Sequence, residues 1–260
     1  MPLTSGHFQH MVYTQPLDDT GKLPVKGQRC AQKIVGKFFF YGRPIDSTIL
    51  PALNDISTSQ AAPTLNTAKK TNILMDFLYT SPNANLRFYA GNMQLHIKSD
   101  AVYLVLTGAR SRAAGHLYLS ATPSPGKVYQ GRFNTPLHTK CRTIKNVVSS
   151  VAKAECAALF HNCSIAVGIC STLEGLGHPQ HCTEVITDFS AANSFVHSEM
   201  QVKQSKSWDM RYNWLRDRIA QAQFNIKWKE GIHNLADYFT KHHLPKYHQI
   251  KCSDYILKGF

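Results

Sequence analysis

Apolar and small side chains recur at Val148, Val151, Ala152, Ala158, Leu159, Ile165, Ala166 and Ile169. That is the i, i+3, i+4, i+7 spacing of a helix with one face turned to a core, so Val147–Leu176 is predicted as the central helix. Ser149 or Ser150 is placed to cap its start, and Gly175 and Gly177 to stop it. Glu155 falls on the apolar stripe, and no other acidic residue lies between Asp100 and Glu174. A carboxylate on a buried face costs several kcal/mol unless something compensates it. Two compensations are open: a partner arginine, Arg110 or Arg112, or a metal ion shared with other carboxylates.

Residues 1–29 are polar, turn-rich and unpatterned. Ile34–Tyr41 and Thr48–Ile56 are apolar segments punctuated by Pro44 and Pro51. Thr67–Thr80 carries Ile73, Leu74, Phe77 and Leu78 at helical spacing before Ser81–Pro82 ends it. From Asn85 the texture becomes that of strands: Leu86–Ala90, Met93–Tyr103, Arg112–Ala121, Lys127–Phe133 and His138–Ile144, with a turn at Pro123–Gly126. Beyond the central helix, Thr183–Asp188 reads as a strand, Ser190–His197 and Ser207–Ala222 as helices, Phe224–Lys229 as a strand and His233–Lys241 as a closing helix. Periodicity assigns Trp208 and Trp228 to the core, and the tryptophans as a group are expected there rather than as stacking platforms. This order predicts a mixed α/β sheet of three antiparallel and two further strands, covered on its faces, with a small helical N-terminal appendage.

Composition sharpens this picture. The 260 residues are 43 % hydrophobic and 17 % charged, which calls for a packed core. The excess of 29 Lys+Arg over 16 Asp+Glu suits a polyanionic partner. Within residues 95–182 nine basic residues (Lys98, Arg110, Arg112, Lys127, Arg132, Lys140, Arg142, Lys145 and Lys153) face three acidic ones. The seven cysteines form no CxxC pair, which fits reduced thiols, and Cys156, Cys163 and Cys170 share one side of the central helix. His178, His181 and Cys182 lack the second ligand pair of a zinc finger. Met1–Pro24 has no signal-peptide core, so a cytoplasmic or nuclear, non-secreted protein without a membrane partner is expected.

Four carboxylates stand where such a sheet would bring them together. Asp100 lies in the first core strand, Glu155 on the helix, Asp188 at a strand end and Asp237 near the start of the closing helix. Singly, each has a plain structural role: Asp100 capping a turn, Asp188 capping a helix, Asp237 accepting a lysine. Together they could not all stay ionised without cations. Two Mg²⁺ ions would satisfy them with hard oxygen ligands, and ions about 3.5–4 Å apart activate water and stabilise the leaving oxygen of a phosphodiester.

Several blocks carry a family resemblance. They are Ile34-Val35-Gly36 through Tyr41–Thr48, Leu95-His96-Ile97-Lys98-Ser99-Asp100-Ala101, Arg110–Gly115, Ser149–Glu155, Thr187-Asp188, Ser205–Tyr212 and Asn234-Leu235-Ala236-Asp237-Tyr238-Phe239-Thr240-Lys241. Over roughly residues 30–245 the chain resembles the C-terminal part of a copia-type retrotransposon polyprotein, the end of a reverse transcriptase followed by its ribonuclease H domain. The resemblance implies a ribonuclease H-like fold with Asp100, Glu155, Asp188 and Asp237 as catalytic metal ligands, and two Mg²⁺ ions for which Mn²⁺ can substitute. It also implies hydrolysis of the RNA strand of RNA–DNA hybrids, and a separate reverse-transcriptase subunit or parent polyprotein as a partner. Arg110, Arg112, Lys140, Arg142, Lys145, Lys206 and Arg211 are then the candidate nucleic-acid contacts, and His233 a candidate proton carrier. The implied division is a flexible arm (1–29), a helical reverse-transcriptase connection remnant (30–85), the ribonuclease H-like domain (86–248) and a C-terminal tail (249–260).

Three positions depart from the family pattern: Lys153 stands for a second acid, and Phe189 and His233 for asparagines. The only Asp-Asp pair, Asp18–Asp19, sits in a loop context, so polymerase activity is not expected. The rival reading is a catalytically inactive nucleic-acid-binding remnant. A third is another nuclease or a transposase of the same fold, since fold does not fix substrate.

Overall fold

The computed structural model describes residues 18–89, 91–106, 108–120, 134–189 and 206–258. The expected strand Lys127–Phe133, the turn Pro123–Gly126 and the helix Ser190–His197 lie outside them. Three helices come first: α1 (Val25–Gly42), α2 (Leu50–Thr58) and α3 (Leu65–Thr80). α1 thus begins inside the segment expected to be a loose arm. Thr64 caps α3 by accepting the Thr67 N–H, while Thr67 Oγ1 accepts the Thr64 N–H. Asp18 accepts the Thr64 hydroxyl at 2.5 Å, so its place is a structural one at the start of this helix.

A short strand β1 (Ala84–Asn85) precedes the main sheet. Leu86–Tyr89, expected as a strand, is not one. The Asn134 side chain takes the place of a ladder neighbour, accepting the Tyr89 N–H and donating to the Tyr89 carbonyl. The sheet consists of β2 (Gln94–Leu106), β3 (Arg110–Ser120), β4 (Pro136–Thr143), β5 (Thr183–Thr187) and β6 (Phe224–Trp228), in the order β4-β3-β2-β5-β6. The first three strands are antiparallel, and β5 and β6 join parallel to β2. Three antiparallel strands extended by two parallel ones, with helices on both faces, form the ribonuclease H-like sheet.

Between β4 and β5 runs α4 (Val151–Gly175), capped by Ser150, which accepts the Lys153 N–H at 3.3 Å. It packs with α5 (Lys206–Ala220) over one face of the sheet. Pleating sends alternate β2 residues to opposite faces. Leu95 and Ile97 meet Leu159, Cys163, Val185 and Leu215 in the core beneath α4. The buried side of the helix runs through Glu155, Leu159, Asn162 and Ala166. Val151, expected on that stripe, is 52 % exposed in the first turn, while Val148 just ahead of the helix is buried. By length and composition α4 could cross a membrane, but its apolar residues form the centre of this core.

The other face is covered by α1–α3 and by two C-terminal helices, α6 (Asp237–Thr240) and α7 (Pro245–Lys251). The single closing helix expected over His233–Lys241 is interrupted. A 3₁₀ turn at Gly231–His233 ends at Asn234, whose side chain donates to the Ser99 carbonyl at 2.9 Å and accepts the Ala236 N–H. That amide ties the segment to β2, and α6 starts afresh beyond it. The C-terminal residues expected as a tail are part of the fold. Cys252, Tyr255 and Ile256 are buried with Val35, Leu53 and Phe239, and β7 (Leu257–Lys258) pairs antiparallel with β1.

Candidate active site

The parallel register of β2 and β5 aligns Lys98 with Ile186. Two residues further on, the same register sets Asp100 alongside Asp188, which directly follows β5. α4 enters from the packed face and carries Glu155 in its second turn. Carboxylate oxygens of Asp100, Glu155 and Asp188 all lie within 4.8 Å of one another. Three elements distant in sequence therefore deliver three acids to one point.

Neighbouring groups fix these carboxylates. Glu155 Oε1 accepts the Ala101 N–H at 3.2 Å. Thr240 donates its hydroxyl to Asp100. Trp228 holds the backbone carbonyl of Asp188 through its indole N–H at 3.0 Å. Gly231 stands so close that a Cβ there would lie 2.9 Å from Asp188 Oδ2. Glu155 Oε2 is buried and has no hydrogen-bond partner among the described residues.

Burial and mutual repulsion dominate the electrostatics. Burial, then the charges of Asp188 and Asp237, pushes Asp100 up to about 7 against the opposing Thr240 hydrogen bond. Burial and the Asp100 and Asp188 charges hold Glu155 well above the usual carboxylate range, and burial with Asp237 raises Asp188. The buried oxygen, unpartnered among the described residues, and the hard carboxylate donors around it fit a divalent cation. Asp237 is not among the three converging acids. It pairs with Lys241, four residues on, which is the lysine contact open to it from sequence.

The arginine alternative for Glu155 does not hold. Arg112, expected as a nucleic-acid contact, is fully buried, pairs with Asp55 of α2 and donates to the Thr240 carbonyl at 3.3 Å. The physical reason is the pleat, which points this β3 residue inward beneath α2. Arg110 is exposed and makes no ion pair with Glu155.

Other candidate cations gather at the outer strand β4. Arg142, Lys145, His161 and Arg211 line one hollow of about 140 Å³; Arg43, His138, Lys140 and Arg142 line a second of about 280 Å³. Burial and the Arg142 charge lower Lys140 to about 8. Arg211 lies over the Phe160 ring. The side chain of Lys206 is outside the described residues.

His233 is exposed, and its carbonyl accepts Lys98 Nζ at 2.8 Å. Lys153 turns to the Ser149 hydroxyl at 2.8 Å. Phe189 packs against the core beneath α4, and Trp214 meets Phe160 edge-on. Trp228, by contrast, is 44 % exposed rather than core, because it closes β6 at the rim of the site. The side chain of Trp208 lies outside the described residues.

Sequence reasoning missed Thr240, Gly231 and Lys241 as parts of this site. The first and last stand in the Leu-Ala-Asp-Tyr-Phe-Thr-Lys block, so their nearness to Asp237 was the available signal.

No protein-family model and no curated protein sequence matches the chain. Solved structures do resemble it. The N-terminal ribonuclease H domain of Rv2228c from Mycobacterium tuberculosis shares 13 % identity at a TM-score of 0.41, over 62 % of this chain and 96 % of that one. Ribonuclease H1 of the halophilic archaeon Halobacterium salinarum shares 14 % identity at 0.32, over 55 % and 90 %. A foamy viral protease–reverse transcriptase in complex with double-stranded DNA shares 12 % identity at 0.49, over 82 % of this chain and 39 % of that one.

Proposed function

We propose that this chain is a ribonuclease H-type endonuclease that hydrolyses the RNA strand of RNA–DNA hybrids, as part of a copia-type retrotransposon reverse transcriptase. The observation that carries this reading is the convergence of Asp100, Glu155 and Asp188 around a buried Glu155 oxygen that has no partner among the described residues. Asp237 completes the proposed ligand set, and two Mg²⁺ ions are the proposed cofactor. Such ions, when bound, supply activation of water and stabilisation of the leaving oxygen. The chain's own residues fix the geometry. The Thr240 hydroxyl orients Asp100, the Ala101 N–H orients Glu155, and the Trp228 indole holds the backbone at Asp188.

The cationic hollows at β4 would grip phosphates of the hybrid, a mode that reads charge and duplex shape with little sequence preference. Exposed His233 is the proposed proton carrier for product release. The copia assignment draws on the sequence blocks, above all Asn234–Lys241.

One observation favours the rival, an inactive nucleic-acid-binding remnant: Asp237 already has a cation in Lys241. The two readings separate on cleavage of a labelled RNA–DNA hybrid in Mg²⁺ by the wild type, Asp100→Asn and Glu155→Gln. The expected outcome is cleavage by the wild type alone. Hybrid binding without cleavage by the wild type leaves the remnant, and cleavage that survives both substitutions rejects the site.

A further inference from the structure

Asp237 meets Lys241 within a single helical turn, and the two form an ion pair. Lysine carries a point charge with three donors on a flexible stem, so it can stand where a small cation would stand and can leave again. The side chain is 40 % exposed. It also lines a cavity of about 520 Å³ between α2, α3 and the α6–α7 segment, walled by Ile49, Ile56, Phe77 and Tyr238. The ammonium thus has a carboxylate to hold and open space into which to withdraw.

From this geometry we infer that Lys241 is a displaceable counter-cation. It neutralises Asp237 in the resting protein, keeps the second divalent position closed to an ion, and swings toward the α2–α3 cavity when that ion binds. The inference rests on the metal-dependent reading above and adds what that reading does not contain. The two positions fill unequally: the first ion enters among Asp100, Glu155 and Asp188, and the second enters only against Lys241.

Isothermal titration calorimetry of the full chain with MgCl₂ and with MnCl₂, without nucleic acid, tests this on wild type, Lys241→Met and Lys241→Arg. The wild type should bind one ion tightly and a second weakly. Lys241→Met should bind the second about tenfold more tightly, a difference of about 1.4 kcal/mol. Lys241→Arg, which keeps the charge, should follow the wild type. Circular dichroism checks that each variant is folded, and Lys241→Gln replaces the methionine variant if that one is not. Equal second-ion affinity in wild type and a folded uncharged variant overturns the inference and leaves the nuclease reading standing. Absence of any ion binding in both overturns the two together.

Discussion

Asp55 and Glu155 pose the same physical problem on opposite faces of one sheet. Each is a carboxylate on a helix packed against β-strands, with little access to water. Asp55 on α2 has its cation built in, the Arg112 guanidinium from β3, and His242 Nδ1 lies 3.2 Å from its other oxygen. Glu155 on α4 has one backbone N–H, an unpartnered oxygen and two further acids for neighbours. A buried carboxylate supplied with a cation by the chain holds the fold together. One left without is unfavourable until a cation arrives from solution. Burial alone does not separate the two; the charges around each do.

The sharpest way to break this contrast is to neutralise each acid's surroundings in turn. Glu155→Gln should reduce hybrid cleavage to the level seen without protein, yet raise Tm in EDTA by about 2–4 °C, since about 1 kcal/mol of buried charge penalty is removed. Arg112→Met should do the reverse, lowering stability in urea unfolding by about 3–5 kcal/mol, because Asp55 loses its guanidinium partner. Were both to destabilise equally, the two carboxylates would be structural alike.

Protons can also neutralise these carboxylates, which gives the contrast a pH dependence. Folded Asp100 titrates near about 7, whereas in the unfolded chain it returns to about 4. Between those values the folded chain holds a proton that the unfolded chain has released, so stability in EDTA should fall as pH rises through this window. The expected loss is on the order of a few kcal/mol, and Asp100→Asn should flatten the slope of urea midpoints against pH. A further test is Gly231→Ala. The added methyl would press on Asp188 Oδ2 and should weaken Mn²⁺ binding about 10–100-fold, the usual range for disturbing a ligand's support. Unchanged Mn²⁺ affinity would mean that Asp188 is free to shift.

Much of this arrangement was legible before any coordinates. Period-two and period-3.6 patterning located β2–β6, α4 and α5, and with them the strand and helix addresses of Asp100, Glu155 and Asp188. Local pattern fails where a distant side chain decides. Arg112 reads as a surface cation until α2 brings Asp55 to it, and the closing helix reads as continuous until the Asn234 amide finds Ser99. Trp228 alternates correctly along its strand but reaches the rim, where alternation no longer implies burial. Gly231 carries no pattern at all, because its importance is the space its missing Cβ leaves.

The C-terminal residues hold one more consequence. Tyr255 donates its hydroxyl to the Leu235 carbonyl at 2.8 Å and meets the Tyr238 ring at a tilt and Phe239 edge-on, while β7 closes onto β1. The turn bearing Asp237 is therefore clamped from downstream. Shortening the polypeptide after residue 248 would loosen an acid whose own neighbours in sequence were left intact, so the placement of Asp237 depends on residues well downstream of it.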